Sequence, residues 1–204
     1  MCVASFLERI KGVMEVRQGA ADRWQNARPH FEAAVRRQPT NANALYLLGM
    51  AALFDDRPDE AVDLLSKSLL MDPDFRAGYV NLAIGYLRLA DWSSALDVSE
   101  AGLARHPDAP QPHYHIGVAA CQLAVEAKGG EEFQRYRQLS MKGFAKARAT
   151  DEARRRYRMR QEGVSTEAPW LEVDDKMCHA MEHEADSRIE LPRNVGWTWT
   201  NFRA

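Results

Sequence analysis

The residues most suited to chemistry lie near the end of the chain, where His179 and His183 stand four positions apart. Residues i and i+4 share one helix face, so the stretch HAMEH fits a zinc-hydrolase signature in which two histidines hold one metal ion. Cys178 and Glu182 are also one helical turn apart. That chemistry needs a further ligand from a folded cavity, and the sequence after His183 is too short to supply one. We therefore predict no metal site and no cofactor.

Two other stretches with polar or flexible residues also lack the context that catalysis requires. His106, His113 and His115 gather around a Pro-rich turn, where histidines are more typical of surface positions and helix starts than of ligands. Gly129 and Gly130 stand alone, without the strand, loop and helix of a phosphate-binding site. No stretch resembles a nucleophile elbow. The sequence predicts that the protein is not an enzyme.

The composition excludes several classes of partner and location. Of the 204 residues, 46% are hydrophobic and 27% are charged, and the net charge of -2 argues against a broadly basic, nucleic-acid-binding surface. The three cysteines are scattered, which is typical of a reducing compartment. Glu8 and Arg9 interrupt the N-terminus before a signal-peptide core forms, and no apolar run reaches membrane-spanning length. We predict a cytoplasmic protein without nucleic-acid binding or membrane insertion.

A 34-residue repeat organises the rest of the chain. PDEAVDLLSKSLLMDPD (58–74) and WSSALDVSEAGLARHPD (92–108) align when one is shifted by a single period, and the same shift aligns residues before and after them. Five columns of equivalent residues result, which makes coincidence an inadequate explanation. They are Ala27, Ala61 and Ala95; Pro39, Pro73 and Pro107; Met14, Leu48, Leu82 and Ile116; Gly49, Ala83 and Gly117; and Val35, Leu69 and Leu103.

Each column has a physical role in a pair of packed helices. NALYLLGMAALF (43–54) has the 3.6-residue period of a helix, DDRPD interrupts it, and EAVDLLSKSLLM resumes it. Small residues let the two helices approach closely, leucines fill the space between them, and proline ends the second helix. One such hairpin cannot bury its apolar faces alone and must stack on its neighbours. The sequence predicts an all-α stack of helical hairpins.

These columns resemble the tetratricopeptide repeat, whose Leu-Gly, Tyr, Ala and Pro positions recur at this period. The resemblance implies a right-handed superhelical stack of three to four repeats within residues 1–150, followed by a C-terminal extension, residues 151–204. The first repeat is degenerate in its opening helix, and an insertion around EAKGGEEF displaces the second helix of the fourth. The predicted repeats are 8–41, 42–75, 76–109 and 110–149.

The resemblance also implies a concave groove lined by the first helix of each repeat. A family clamp that holds acidic chaperone tails needs Lys, Asn, Asn, Lys and Arg; here only Asn81 matches, because Tyr46, Met50, Gln111 and His115 occupy the other positions. The first repeat would contribute only Gly12, Val16, Gly19 and Ala20. We therefore predict an apolar peptide segment as the ligand. The predicted peptide-binding residues are Tyr46, Met50, Phe54, Asn81, Ile84, Arg88, Tyr114, Val118 and Gln122.

The extension divides into three parts by composition. Residues 151–163 predict a short capping helix with Asp151 as its N-cap. Residues 164–190 are acidic, and Pro169 starts a predicted helix within them that carries Trp170, Val173, Met177 and Met181 on one face. The last part alternates Trp197, Trp199 and a nearby Phe202. Two interpretations stay open, a tail that docks on the groove, the last hairpin or a second copy, and a weakly ordered terminus.

Together these features predict a non-catalytic adaptor, scaffold or chaperone-like module that binds a protein or peptide partner. Two narrower functions are alternatives. A chaperone of type III secretion translocators is loosely compatible with the size and the apolar groove. A self-assembling structural protein is the other, in which the C-terminal extension of one subunit fills the groove of the next and makes a homo-oligomer.

Overall fold

The computed structural model describes the backbone of residues 23–162 and the side chains of residues 24–150. These residues form seven helices and contain no strand, which confirms the all-α prediction. The chain divides into two compact units, one ending at Pro107 and the other starting at Asp108. The helices are α1 (Arg23–Arg37), α2 (Ala42–Phe54), α3 (Pro58–Met71), α4 (Arg76–Arg88), α5 (Trp92–Arg105), α6 (Pro110–Ala127) and α7 (Gly130–Glu162).

The N-terminal unit contains α1 to α5, each packed on the next along the chain. The helices α2 and α3 form one hairpin, and α4 and α5 form a second. α1 is the second helix of the first repeat and packs on α2. The predicted opening helix of that repeat, with its groove residues Gly12, Val16, Gly19 and Ala20, lies outside the described residues.

The boundaries of these helices follow from local chemistry. The side chain of Asn41 accepts a hydrogen bond from the Ala44 amide at the start of α2, and Asp91 does the same for Ser94 in α5. Such caps satisfy amides that have no partner within the helix. The predicted prolines Pro39, Pro73 and Pro107 each stand just beyond the end of a second helix. Their role as helix terminators is confirmed.

Every described second helix contains three buried residues at spacings of four and three positions. A glycine that faces them allows close packing; a Cβ atom on Gly49 in α2 would lie 2.8 Å from Leu65 Cγ. Ala61 and Ala95 therefore occupy equivalent positions, as the columns predict. In the N-terminal unit the three triples are Ala27, Phe31 and Ala34; Ala61, Leu65 and Ser68; and Ala95, Ser99 and Gly102.

The C-terminal unit repeats this arrangement in a single hairpin of α6 and α7. Gly117 faces Phe144, and the buried triple is Ser140, Phe144 and Ala147. The Ser140 hydroxyl donates a hydrogen bond of 2.8 Å to the Gly117 carbonyl, which joins the two helices. Gly117 and Phe144 are farther apart in the sequence than the equivalent Gly49 and Leu65 of the α2–α3 hairpin, so this hairpin holds additional residues. The predicted insertion is confirmed.

The predicted start of a separate capping helix at Asp151 was wrong. α7 runs without a break from Gly130 to Glu162, so Asp151 is inside a helix and does not cap a separate one. The position equivalent to Pro73 is Glu152, and without proline the helix has no reason to stop there. The predicted division at residue 150 therefore does not coincide with a helix end, and it stays a prediction. The zinc-like motif and the aromatic tail lie outside the described residues.

Candidate functional site

The structure buries most of the side chains that were predicted to line the groove. Phe54 is the most accessible of them at 38% exposure, and Arg88 and Gln122 are half-buried. Whether these residues bind a peptide stays a prediction, but most of them also serve the packing of the helices. The buried members are Tyr46, Met50, Asn81, Ile84, Tyr114 and Val118.

A hydrogen bond joins the first helices of two successive repeats. The side-chain amide of Asn81 in α4 donates to the Tyr46 hydroxyl in α2 at 3.0 Å and to the Ala77 carbonyl at 2.8 Å. The Tyr46 ring also meets the Phe75 ring edge-on at 4.6 Å, and burial raises the pKa of Tyr46. Both N–H groups of the Asn81 amide are used. The amide nitrogen of Asn81 therefore cannot also donate to a bound backbone carbonyl, but the amide oxygen can still accept a hydrogen bond.

Arg88 makes a second connection between the same helices. Its guanidinium donates to the Leu53 carbonyl in the last turn of α2, and Asp56 Oδ1 lies 3.9 Å away. Burial lowers the pKa of Arg88, and the charge of Asp56 acts against this shift. A cation at the carbonyl end of a helix is favoured by the helix dipole. The Leu53 carbonyl of α2 thus positions the Arg88 side chain, which is 26% exposed.

An aromatic pair stands at the end of α2. The rings of Phe54 and Trp24 are stacked with their centroids 4.7 Å apart and an angle of 13° between their planes. Trp24 is buried and covers one face of the Phe54 ring. Sequence reasoning missed Trp24 because its equivalents one and two periods later are Pro58 and Trp92, which form no consistent column.

A group of charged residues fixes α1 against the turn between α2 and α3. Arg28 in α1 donates to Glu32 at 2.9 Å, to Asp55 at 3.1 Å, and to Glu60. Burial acts to lower the pKa of Arg28, but the hydrogen bonds and charges of Glu60 and Glu32 together outweigh it, so the pKa is raised. The arginine is 15% exposed, which places this network between a surface and a buried ion pair.

The predicted residues of the C-terminal unit lie on α6. The Tyr114 ring packs on Phe144 of α7 with centroids 5.6 Å apart. His115 is 5% exposed, and its Nδ1 atom has no hydrogen-bond partner among the described residues. Burial lowers the pKa of His115 to about 4. The imidazole is therefore neutral at physiological pH, and it belongs to the core rather than to a ligand site.

The described part of the chain has neither a cluster of metal ligands nor a membrane-spanning helix. Between residues 24 and 150, no group of three or more His, Cys, Asp or Glu side chains is arranged to hold a metal ion. None of the seven helices has both the length and the apolar character needed to cross a lipid bilayer.

Comparison with known proteins supports the interpretation of the repeats. The sequence model of the tetratricopeptide repeat family matches residues 20–80. The human protein O-mannosyl-transferase TMTC3 is 33% identical over 82 residues, which make up 40% of this chain and 9% of that protein. The chain thus corresponds to less than a tenth of this relative's length.

Solved structures show the same fold at low sequence identity. A crystal structure of the MamA protein superposes with a TM-score of 0.61 at 20% identity, covering 80% of this chain and 79% of MamA. YrrB, a tetratricopeptide repeat protein with an unusual peptide-binding site, superposes with a TM-score of 0.59 at 17% identity, covering 72% of this chain and 69% of YrrB.

Proposed function

We propose that the protein is a non-catalytic module that binds an apolar segment of another protein, because residues 20–80 match the sequence model of the tetratricopeptide repeat family. The binding surface in this proposal is the inner face of the N-terminal unit. We define the inner face as the side of α2 and α4 that carries Tyr46, Phe54, Asn81 and Arg88. YrrB, which has the same fold, has a peptide-binding site, and this is consistent with the proposal.

The observation that carries the proposal is the accessible aromatic group at the end of α2. Phe54 is 38% exposed and stacks on the buried Trp24, so its ring is held in place before any ligand arrives. Rigid, preplaced aromatic side chains are the residues that most often dominate the energy of peptide and protein binding. Arg88, which is fixed by the Leu53 carbonyl, stands at the equivalent position one repeat later.

The chemistry of the inner face favours an apolar ligand over an acidic one. Arg88 is the one cation among the predicted groove residues, and its guanidinium is already engaged with a helix carbonyl and Asp56. A terminal carboxylate would meet no cluster of cations there. The Asn81 oxygen can accept one backbone N–H group, which suits a segment that lies extended across α2 and α4.

The packing of the helices determines which variants can test this proposal. Tyr46 and Tyr114 are 4% and 5% exposed, so changing either to alanine would create a cavity and destabilise the fold by several kcal/mol. Loss of binding in such a variant would then have two explanations. Phe54→Ser reduces this difficulty because Phe54 already contacts solvent, and chemical denaturation of the variant measures how much stability the lost contact with Trp24 costs.

The experiment is peptide display on the full-length chain, followed by affinity measurements with the selected peptide. We expect selected peptides with two or three apolar anchors and no required C-terminal carboxylate. Phe54→Ser should weaken their binding about tenfold, since one aromatic anchor contributes on the order of 1–2 kcal/mol. Leu70→Ser is the matched control, because Leu70 is 74% exposed but lies on the second helix α3. Equal loss in both variants, or in neither, would contradict the assignment.

The role of this binding in the cell is a further part of the proposal. An adaptor, scaffold or chaperone-like role fits a module with an apolar binding surface and no catalytic constellation in its sequence. We place it in the cytoplasm because the three cysteines are scattered and the described one, Cys121, is buried as a thiol.

A further inference from the structure

Two contacts between α1 and the end of α2 lie side by side. In α1, Trp24 and Arg28 are four positions apart, so they are neighbours on one helix face. Phe54 is the last residue of α2, and Asp55 follows it directly. Trp24 stacks on Phe54. Arg28 donates a hydrogen bond of 3.1 Å to Asp55, so one turn of α1 meets two consecutive residues through an aromatic and an ionic contact.

The guanidinium of Arg28 binds three carboxylates with three different nitrogen atoms. Nε donates to Glu32 within α1, Nη1 to Asp55 and Nη2 to Glu60 in α3. Arg57 lies on the same carboxylates, 3.0 Å from Glu60 and 3.5 Å from Asp55. A planar guanidinium donates in fixed directions, so it holds its partners in one geometry. Arg28 therefore joins α1 to the turn after α2 at two carboxylates, while Glu32 fixes its own side chain.

The ionic and the aromatic contact are replaced together at the next junction of the stack. One period after Arg28 the residue is Val62, which lies against the backbone of α4, since a Cβ atom on Gly85 would be 2.8 Å from Val62 Cγ2. The arginine is thus not a general requirement for stacking one repeat on the next. The other three residues also change, and the replacements for Trp24, Phe54 and Asp55 are Pro58, Arg88 and Leu89. This joint replacement indicates that the ionic group serves the aromatic pair.

The ionic group is shielded enough from water to hold α1 in place. The side chains of Arg28 and Asp55 are each 15% exposed. Water screens ion pairs at the surface, but removal of one partner from a largely buried pair leaves a charge without compensation. Without the Arg28 guanidinium, Asp55 would keep Arg57 as its ion-pair partner among the described residues, at the longer distance of 3.5 Å. We expect its carboxylate to turn toward solvent and the neighbouring Phe54 to lose its alignment with α1.

We propose that Arg28 is a positioning residue of the peptide-binding surface. Arg28 holds α1 against the end of α2 and so keeps the Phe54 ring stacked on Trp24, without itself contacting the ligand. A ring that is held in place binds more tightly than a mobile one, because it loses less conformational freedom when the ligand arrives. The effect on binding rests on the proposed function, whereas the effect on the ring pair is independent of any ligand.

The free, full-length protein tests the positioning role without a ligand. The ring protons of Phe54 lie beside the Trp24 indole, whose ring current shifts their NMR signals upfield. These signals are assigned by their loss in Phe54→Ser. We expect Arg28→Gln to move them toward the position of an unstacked phenylalanine, while the amide signals of α4 and α5 show that the unit stays folded. Unmoved Phe54 signals in Arg28→Gln would overturn the proposal.

Two further variants make this test specific. Arg105→Gln is the matched control, because Arg105 in α5 also forms an ion pair between repeats, 2.7 Å from Asp74, but at another junction. It should leave the Phe54 signals in place, and an equal movement in both variants would overturn the proposal. Asp55→Asn removes the charge of the acceptor beside Phe54 and keeps its size. It should move the same signals, and it takes the place of Arg28→Gln if that variant does not fold.

The affinity for the display-selected peptide measures the consequence for binding. Arg28→Gln should weaken binding about fivefold, less than Phe54→Ser because the Phe54 ring is still present. Arg105→Gln should leave the affinity unchanged. Moved Phe54 signals with an unchanged affinity in Arg28→Gln would contradict the role of Arg28 in binding. If Phe54→Ser itself leaves the affinity unchanged, the proposed function fails at this surface, and the ring signals still decide whether Arg28 positions Phe54.

Discussion

The α2–α3 hairpin and the α6–α7 hairpin both bring two helices close together, but they use different residues at the contact. In the α2–α3 hairpin a glycine of the first helix receives the side chain of Leu65, and proline ends the second helix soon afterwards. In the α6–α7 hairpin two glycines meet: a Cβ atom on Gly143 would lie 2.7 Å from the Gly117 nitrogen and 2.9 Å from the His113 carbonyl oxygen. The α6–α7 hairpin thus brings its backbones into contact.

This difference shows that the repeat preserves burial rather than residue type. The triple Ala61, Leu65 and Ser68 becomes Ser140, Phe144 and Ala147, with the large residue at the centre in both. Phe144 is larger than Leu65, and Gly143 beside it is smaller than Leu64, its equivalent in α3. Volume is therefore exchanged between neighbouring positions, as close packing requires.

The largest loss of stability should come from adding a side chain at the contact between α6 and α7. Gly143→Ala forces a methyl group against backbone atoms that cannot rotate away, and we expect a loss of about 3 kcal/mol in the free energy of unfolding. Gly85→Ala is the matched control, because its Cβ meets the end of the Val62 side chain and the substitution gains helix propensity. Gly85→Ala should lower the free energy of unfolding by less than about 1 kcal/mol. Chemical denaturation measures both, and equal losses would show that backbone contact does not distinguish the two sites.

The periodic columns predicted the hairpins well because positions that are buried at a fixed spacing hold small or apolar residues, and these are visible in the sequence. Ala61, Ala95 and the three prolines all lie where the repeat period places them. The columns did not predict the length of α7. Its continuation depends on the absence of proline at position 152, and the insertion hides that equivalence until the Gly117–Phe144 contact is seen.

The side of the helix on which the candidate residues lie was predictable from the sequence, and their exposure was not. A repeat register assigns Tyr46 and Asn81 to one side of their helices, and they do meet there. Whether a side chain on that side contacts solvent depends on partners from other repeats, such as Phe75 for Tyr46. The sequence separation of Trp24 and Phe54 is not a multiple of the repeat period, so no column contains their stack.

A loss of stability of similar size is expected at low pH from one of two equivalent positions in α4 and α6. Asn81 in α4 is hydrogen-bonded to Tyr46, whereas His115, one period later, is buried with an unbonded Nδ1 atom. The folded-state pKa of His115 is about 4, below its ordinary value of 6.5, so the unfolded state binds the proton first as the pH falls. Stability should therefore be fully present above pH 6.5 and decrease until about pH 4, by about 3 kcal/mol.

Urea denaturation at a series of pH values measures this loss. His115→Gln should remove most of the slope between pH 6.5 and 4. His113→Gln is the matched control; its pKa is lowered less strongly, first by partial burial and then by Lys146. If the slope survives in His115→Gln, the acid sensitivity has another source and His115 is not held neutral by the fold.

The smallest effect tests whether the Asn81–Tyr46 hydrogen bond contributes to the stacking of successive repeats. A double-mutant cycle of Tyr46→Phe and Asn81→Ala isolates their coupling from the other contacts of each side chain. We expect a coupling of about 1 kcal/mol, because the bond is buried and the Tyr46 hydroxyl would otherwise lose its donor. Tyr79→Phe is the comparison, since its hydroxyl donates to the Pro73 carbonyl at the surface and should contribute less. A coupling near zero would mean that apolar packing, such as Tyr46 against Phe75, joins α2 to α4 without help from this polar pair.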